Sequence, residues 1–324
     1  MHVSGFGLPC RLRSAGTGGL LAMASLLGCA KPRQTVADKP PTPTGRAMLT
    51  FAEVAATPAP AAEHREAYGS GLLQFGELRL PPGVTSRLPV VVFIHGGCWR
   101  AAYDLAHVAA AADALAQVGY AVWVPEYRRV GDDGGGFPGT FDDIAAAVDH
   151  VRALAIKYQA LDTTRVVLAG HSAGAQLALW AASRRANDTP SGLAESRAPL
   201  RVAGVVSLAG ITDLASSGAS PGSCNSSVSP LLGGTPAQVG ERYAAVSPIE
   251  RLPIRAPVQI VHGAEDPIVP IAQSRQFAAR SKQAGALVNV TEVPGAGHFD
   301  LVAPQSSAWP NVVAAIRALA PPFR

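Results

Sequence analysis

Residues 165–186 read RVVLAGHSAGAQLALWAASRRA, and this stretch decides the fold. Its first part, 165–169, is a short apolar run rich in β-branched residues, which predicts a buried strand. The run 173–186 continues as a helical pattern. Ser172 falls at the turn between them, with glycines two residues before and two residues after it. A strand-to-helix turn of this kind exposes the serine hydroxyl at the sheet edge, so Ser172 is the predicted nucleophile.

Apolar runs and helical patterns alternate on both sides of this stretch. Further runs that predict buried strands, bounded by glycine or proline, lie at 90–94, 121–124, 203–208, 258–261 and 288–293. Helices are predicted at 109–118, 144–158, 271–284 and 308–319. Strand followed by helix, repeated, predicts an α/β fold whose mostly parallel sheet has helices on both faces.

The composition excludes several classes of protein. The 324 residues are 48% apolar and 15% charged, which is enough to bury a large core and excludes a wholly disordered chain. The formal net charge is +4, and no basic run is longer than a pair, so no nucleic-acid partner is predicted. Glycine and proline are abundant but not periodic, which excludes collagen and indicates many turns.

The pattern Gly-x-Ser-x-Gly occurs a second time, as Gly218-Ala-Ser220-Pro-Gly222. Chance alone gives about 0.2 matches in a chain of this composition, so the bare pattern is weak evidence. The second match follows no predicted strand, has proline directly after its serine and lies in a serine-rich stretch. We therefore predict a turn at 218–222 and prefer Ser172 as the nucleophile, with Ser220 as the alternative.

Acyl transfer by a serine also needs N–H groups that stabilise the developing oxyanion. The strand 90–94 leads into HGGCW at 95–99, where glycines let backbone N–H groups approach a ligand closely. A nucleophile elbow supplies its other donor from the residue after the serine. The predicted oxyanion donors are Gly96 or Gly97 together with Ala173.

A general base must be chosen from eight histidines. His298 lies in VPGAGHFD at 293–300, a glycine-rich loop after the last predicted strand. A loop there can reach the edge where sites of open α/β folds lie, and an imidazole pKa of ~6.5 suits a base near neutrality. The others are assigned to the N-terminal region (His2, His64), to surface helices (His107, His150), to loop-orienting positions (His95, His171) and to a strand end (His262).

The base needs an acid that fixes its tautomer. Asp266 lies in VHGAEDP at 261–267, directly after a predicted strand. The order Ser172, Asp266, His298 along the chain is one that such triads adopt. The remaining candidates for the acid are Asp213, Glu265 and Asp300.

From Tyr68 to Arg324 the chain resembles the α/β-hydrolase superfamily, in particular a bacterial group that includes feruloyl-esterase-like proteins and kynurenine formamidases. The resemblance implies a serine hydrolase that cleaves carboxylic esters through an acyl-enzyme. Cys98 and Trp99, in the loop after the strand 90–94, are the predicted substrate-lining residues. Relatives often carry an aromatic residue or a third glycine at the position of Cys98. The matching residues are 95–99, Glu126-Tyr127-Arg128, Phe137-Pro138, Asp142-Asp143, Gly170–Gly174, Gly263–Asp266 and Gly297-His298.

Three other functions remain open. An arylformamidase acting on N-formylkynurenine would use the same machinery on another bond. A peptidase of the prolyl-oligopeptidase type is disfavoured, because the residues before Tyr68 are too few for its accessory propeller. A lipoprotein that uses the fold only for binding is disfavoured by the complete set of nucleophile, base, acid and oxyanion loop.

The N-terminal region predicts export. Arg11 and Arg13 precede a charge-free apolar stretch at 14–30, which is typical of a secretory signal and shorter than a spanning helix. The stretch ends in Leu-Leu-Gly-Cys29, which resembles a lipobox, so we predict a signal at 1–28 and lipidation of Cys29. The protein would then lie on a membrane surface of the bacterial cell envelope. An ordinary cleaved signal is the alternative.

Residues 29–67 are rich in proline, alanine and threonine and predict a tether before a domain at 68–324. Cys98 and Cys224 could pair in an oxidising compartment, although the sequence leaves free thiols equally open. The stretch 212–246 is predicted to be a long irregular loop, either a lid or a surface excursion. No cofactor or metal is predicted, the expected partner is a small ester or amide substrate, and no oligomeric state is indicated.

Overall fold

The computed structural model describes residues 48–83, 87–186, 192–194, 198–219 and 224–322. The strands are β1 (His64–Ala67), β2 (Phe75–Arg79), β3 (Leu88–Ile94), β4 (Ala121–Pro125), β5 (Leu161–His171), β6 (Gly204–Leu208), β7 (Val258–Gly263) and β8 (Val288–Val293). The helices are α1 (Phe51–Ala55), α2 (Ala109–Gln117), α3 (Gly139–Asp149), α4 (Val151–Lys157), α5 (Ala173–Ser183), α6 (Leu214–Ala219), α7 (Asn225–Leu232), α8 (Pro236–Val246), α9 (Ala272–Gln283) and α10 (Trp309–Leu319).

The eight strands form one sheet in the order β1-β2-β4-β3-β5-β6-β7-β8. The pairs from β4 to β8 are parallel, and β1 and β2 add an antiparallel edge. Strand β3 is buried along its whole length, and its side chains alternate between two hydrophobic cores. Val90 and Val92 pack into one core, whereas Val91 and Phe93 pack into the other. The prediction of a mostly parallel α/β sheet covered on both faces is confirmed.

The predicted tether at 29–67 and the domain start at 68 are wrong in their boundary. Helix α1 and strand β1 both lie before Tyr68, and β1 pairs with β2 at the edge of the sheet. Val54 of α1 is 3% exposed and belongs to the hydrophobic core. The folded part of the chain therefore includes residues that their proline- and alanine-rich composition assigned to a linker.

The stretch 212–246 is not the irregular loop that its composition predicts. It contains α6, α7 and α8, which are held by apolar residues such as Leu214, Val228 and Leu231 in the core. The predicted turn at 218–222 begins inside α6, which ends at Ala219, and the remaining positions lie outside the described residues.

The parallel strands bring distant loops to one edge of the sheet. The carboxyl ends of β3, β5, β7 and β8 lead respectively into the loop at 95–99, the turn at Ser172, the loop with Asp266 and the loop with His298. In open α/β folds this edge is where sites form. Within the described ranges, no helix is long and apolar enough to cross a membrane.

Candidate active site

Ser172 occupies a strained turn between β5 and α5. Its φ of 57° and ψ of −120° are unusual for a residue other than glycine. A Cβ atom on Gly170 would lie 2.2 Å from the Gly174 carbonyl oxygen, and one on Gly174 would lie 2.2 Å from the Ile94 carbonyl oxygen. The turn therefore excludes side chains at both glycines that flank the serine. The backbone N–H of Ser172 donates to the Leu208 carbonyl oxygen at 2.8 Å, and this bond anchors the turn to β6.

The second Gly-x-Ser-x-Gly match lacks this constraint at its first glycine. A Cβ on Gly218 would meet Val228 at 3.5 Å, an ordinary contact distance. Gly218 lies within helix α6, and no strand leads into it. Ser220 lies outside the described residues. The local geometry at Gly218 thus differs from a nucleophile elbow.

The loop that follows β3 packs directly against the Ser172 turn. A Cβ on Gly96 would lie 3.2 Å from the Ser172 Cβ and 2.7 Å from the His171 carbonyl oxygen, so only glycine fits there. Gly97 has a φ of 107°, which glycine adopts without steric cost. Ala173 is the first residue of α5, where backbone N–H groups have no acceptor within the helix. Both predicted sources of oxyanion donors therefore flank the serine.

Cys98 and Trp99 have different environments, although both have positive φ values, of 52° and 56°. Cys98 lines the cavity that contains Ser172. Trp99, predicted to line the substrate site, is instead fully buried in the core, where its indole N–H donates to Gln176 at 3.1 Å. The prediction for Trp99 is therefore wrong, because its indole packs in the core and is absent from the cavity wall.

His298 and Asp266 form a short hydrogen bond. The Nδ1 atom of His298 lies 2.7 Å from Oδ2 of Asp266, and the other carboxylate oxygen accepts the N–H groups of Ile268 and Val269. Burial alone would raise the pKa of Asp266, but the hydrogen bonds from His262 and His298 lower that pKa below its usual range. Asp266 is thus a carboxylate, and the Nδ1 of His298 is its donor.

The other candidate acids have other partners. Asp300 accepts the backbone N–H of Gly297 at 2.8 Å and so shapes the loop that carries His298. Asp213 accepts the N–H of Ser216 at 3.0 Å near the start of α6. Glu265 is exposed to solvent. Among the four acids weighed from the sequence, the structure brings Asp266 to His298.

A cavity of about 270 Å³ lies over the serine. Eleven residues line it: Phe51, Gly97, Cys98, Arg100, Tyr103, His107, Ser172, Cys224, Ile268, His298 and Phe299. The pairing of the two cysteines, which the sequence leaves open, is settled, because Cys98 and Cys224 form a disulfide with a Cα–Cα distance of 4.9 Å. The disulfide joins the loop after β3 to the start of α7 at the wall of the cavity.

Two buried polar networks support the site and were not found from the sequence. In the first, Glu126 accepts from the Nε2 atom of His95 at 3.0 Å and pairs with Arg129 at 3.1 Å. The Nδ1 atom of His95 lies 2.9 Å from the carbonyl oxygen of Gly96. Glu126 is 2% exposed, so a buried ion pair lies beneath the loop after β3. The pairing of residues 31 positions apart has no local sequence pattern.

The second network joins three histidines. The Nε2 atom of His171 lies 3.0 Å from the His298 carbonyl oxygen, so this nitrogen carries the proton. The Nδ1 atom of His171 must then accept, and it lies 2.9 Å from the Nε2 of His107, which donates. Burial lowers the pKa of His107 to about 3 and the pKa of His171 well below its usual value. The assignment of His107 to a surface helix is therefore wrong.

No group of three or more His, Cys, Asp or Glu residues that could hold a metal ion occurs in the described part of the chain. His262, near Asp266, is held by the hydroxyl of Ser274 at 2.7 Å and the carbonyl oxygen of Val269 at 2.9 Å. Both of its ring nitrogens thus have protein partners.

Comparison with known proteins identifies the family of this chain. Residues 77–280, more than half of the chain, match the family described as BD-FAE. The chain belongs to the BD-FAE family. It is also 30% identical over 234 residues to Esterase LipQ of Mycobacterium tuberculosis, a match that covers 69% of this chain and 53% of that protein. The chain therefore spans about half the length of this curated relative.

Solved structures resemble the fold closely. A truncated carbohydrate esterase from gut microbiota has a TM-score of 0.67 at 22% identity, covering 80% of this chain and 97% of the other. Thermogutta terrifontis esterase 2 phosphonylated by sarin has a TM-score of 0.63 at 21% identity, covering 80% and 93%. The BD-FAE member described here thus has the α/β-hydrolase fold, and the resemblance to α/β-hydrolases of the serine-esterase type is confirmed.

Proposed function

We propose that this BD-FAE member hydrolyses carboxylic esters through an acyl-enzyme on Ser172. The observation that carries the proposal is the placement of Ser172 and His298 on the wall of one cavity, with Asp266 hydrogen-bonded to Nδ1 of the imidazole. Because Nδ1 of His298 donates to Asp266, its Nε2 holds the lone pair that can accept a proton. An imidazole that a carboxylate orients, on the same cavity wall as a serine, is the arrangement that can activate the hydroxyl.

The reaction proceeds in two halves. The Ser172 Oγ attacks the ester carbonyl carbon while its proton passes to Nε2 of His298, and a tetrahedral oxyanion forms. The imidazolium, stabilised by the Asp266 carboxylate, then gives that proton to the alcohol oxygen as the carbon–oxygen bond breaks. Water then attacks the acyl-serine and gives a proton to Nε2 of His298, and this proton from water passes to Ser172 Oγ as the carboxylic acid leaves.

The oxyanion is held by backbone N–H groups of Gly96 or Gly97 and of Ala173. The close packing of Gly96 on Ser172 supports this assignment, because an N–H donor must lie about 3 Å from the developing charge. The start of α5 adds the positive end of a helix dipole at the same place. The esterase names of the relatives favour an ester over a formamide substrate.

Hydrolysis of 4-nitrophenyl acetate by matched serine variants tests this proposal. Ser172→Ala is expected to abolish turnover, because no other group on the cavity wall is placed as a nucleophile at the elbow. Ser220→Ala is the control and is expected to retain the activity of the parent chain. An inactive Ser220 variant beside an active Ser172 variant would overturn the assignment.

We also propose that the chain is exported and lipidated at Cys29, which lies outside the described residues. The disulfide between Cys98 and Cys224 supports export, since such bonds persist in oxidising compartments and are rare in the cytosol. Expression in a bacterium that lipidates exported proteins, followed by fractionation and mass spectrometry, tests both points. Parent protein in the membrane fraction with acyl chains on Cys29, and a Cys29→Ala variant released from it, is expected. Equal partitioning of the two would contradict lipidation.

A further inference from the structure

An aromatic ring from the beginning of the folded chain lies in the candidate active site. Phe51, the first residue of α1, lines the same cavity as Ser172 and His298. It precedes the region that matches the BD-FAE family, which begins at residue 77. We name residues 48–57 the N-terminal strap. The Phe51 ring therefore comes from a part of the chain that the family match does not include.

The strap is fastened to the rest of the molecule along its length. Its helix begins with a capping box, in which the side chains and backbones of Thr50 and Glu53 bond reciprocally. Val54 is buried in the core, and the hydroxyl of Thr57 accepts the side-chain amide of Gln305 at 3.2 Å. A helix of five residues is unstable by itself, so these contacts fix the position of the ring.

The strap also touches the loop that carries the base. A Cβ atom on Gly297 would lie 2.8 Å from the sulfur of Met48, so Met48 lies directly against the residue before His298. A side chain at position 297 would have to displace the side chain of Met48. The beginning of the strap thus packs on the His298 loop, and its next turn reaches the cavity.

The Phe51 ring connects the two loops that form the site. Its centroid lies 5.0 Å from that of Tyr103 and 5.6 Å from that of His107, both in edge-to-face contact. These two residues follow the glycine loop after β3. The ring centroid of Phe299, next to His298, lies 5.8 Å away. Four aromatic side chains therefore close one side of the cavity, and one of them comes from the strap.

We propose that Phe51 is a specificity-determining residue that limits the size of the substrate group bound beside it. The proposal rests on the ester hydrolysis proposed above. The cavity of about 270 Å³ is near the lower end of the ~300–1,000 Å³ typical of small-molecule sites, and the Phe51 ring occupies its boundary. The substrates are therefore esters with a short acyl or alcohol group, and removing the ring creates space for a longer one.

Two ester series measure this effect. One varies the acyl group of 4-nitrophenyl esters from acetate to octanoate, and the other varies the alcohol of acetate esters from methyl to hexyl. Phe51→Ala is expected to raise the ratio of kcat/KM for the longest to the shortest member at least tenfold in one series, as methylene discrimination in apolar pockets is of this order. Phe51→Leu, which retains bulk, is expected to change the ratio less.

Ala52→Gly is the matched control. Ala52 is exposed, neighbours Phe51 in the same helix and does not line the cavity. Glycine weakens the helix without removing the ring, so the ratio is expected to remain that of the parent chain. A ratio unchanged in Phe51→Ala in both series, or shifted equally by Ala52→Gly, would overturn the inference. Stoichiometric phosphonate labelling of the parent chain separates this failure from failure of the proposed function, since labelling persists if only the inference is wrong.

Discussion

Three residues other than glycine hold positive φ angles around the cavity. Ser172, Cys98 and Trp99 have φ values between 52° and 57°, a region that side chains normally avoid. Such conformations persist only where the surroundings fix them, and they concentrate at functional sites. Here the surroundings are the packed glycines of the elbow and the disulfide at Cys98. The strain is therefore localised at the proposed nucleophile and in the loop after β3, where Cys98 lines the cavity and Trp99 is buried in the core.

Two glycine-to-alanine changes separate the two serine motifs. Gly174→Ala places a Cβ 2.2 Å and 2.4 Å from the carbonyl oxygens of Ile94 and His95, so it should displace the elbow and abolish ester hydrolysis. Gly218→Ala meets only Val228 at 3.5 Å within helix α6, so activity should persist, with stability raised by up to about 1 kcal/mol. Turnover and urea unfolding of both variants provide the comparison. An active Gly174→Ala enzyme would show that the elbow is not required.

Replacing the acid tests the assignment of the triad. Asp266→Asn removes the charge that orients His298 and stabilises its imidazolium, so kcat should fall by about 10³- to 10⁴-fold. The change keeps the size of the side chain, which limits structural disturbance. Glu265→Gln, at the exposed neighbouring position, should leave kcat unchanged. Steady-state kinetics with one ester decide between the two acids. A large loss of kcat in the Glu265 variant alone would show that Glu265, and not Asp266, is the acid of the triad.

Buried neutral histidines make stability depend on pH. The pKa of His107 is about 3 in the folded chain, against ~6.5 when unfolded, and that of His171 is also lowered. Below pH 6.5 the unfolded chain binds more protons at these two histidines than the folded chain does. The stability that the two neutral histidines allow is therefore fully present above pH 6.5 and is lost as the pH falls. Each histidine adds a slope of about 1.4 kcal/mol per pH unit in that range.

Urea unfolding between pH 7 and pH 5 measures this slope. His107→Gln keeps a donor for His171 but removes one titrating group, so the free energy of unfolding should fall less steeply with acidification than in the parent chain. Asp266, whose pKa is lowered, loses its own contribution only below its unfolded value near pH 4 and so does not interfere. Identical slopes in the two proteins would contradict the neutral state of His107.

At the scale of elements, the sequence predicts the parallel strands well because they are continuous apolar runs. All six predicted strands appear, with β3, β4, β5 and β7 extending beyond the predicted ends. The edge strand β1 was missed because its residues alternate between partly exposed and exposed and carry charges. Helix α1 was missed for a related reason, since its five residues are stabilised by tertiary contacts rather than by helix propensity.

The helices between β6 and β7 were also not predicted, because tertiary contacts rather than local propensity stabilise them. The serine and glycine content of the stretch 212–246 predicts a loop, whereas α7 packs Val228, Leu231 and Leu232 into the core and is attached through Cys224. Tertiary burial outweighs weak local propensity there. The residue directly before α7, Cys224, thus lines the cavity, which composition alone does not indicate.

The disulfide should stabilise this arrangement. It closes a segment of 126 residues, for which loop-closure entropy and measured removals give about 2–5 kcal/mol. We expect reduction to lower the free energy of unfolding by that amount and also to lower turnover, since Cys98 adjoins Gly97. A variant with both Cys98→Ser and Cys224→Ser should be insensitive to reductant. Unfolding curves of the parent chain that are the same with and without reductant would contradict the stabilising role of the disulfide.

At the scale of the molecule, the meeting of distant site residues at one edge of the sheet could be predicted, because parallel strands direct their carboxyl ends to that edge. Ser172, Asp266 and His298 each follow a separate predicted strand, and the structure brings Asp266 to His298 and both His298 and Ser172 to one cavity. The rest depends on contacts between distant positions. Neither the position of Phe51 nor the burial of Trp99 follows from a local pattern.

Mass spectrometry of the chain after reaction with an organophosphonate tests the nucleophile most directly. We predict a single phosphonyl adduct per chain on the peptide that contains Ser172, formed with loss of esterase activity. Ser172→Ala should take up no label, and Ser220→Ala should take up as much as the parent chain. An adduct on Ser220, or full labelling of the Ser172→Ala chain, would contradict the account.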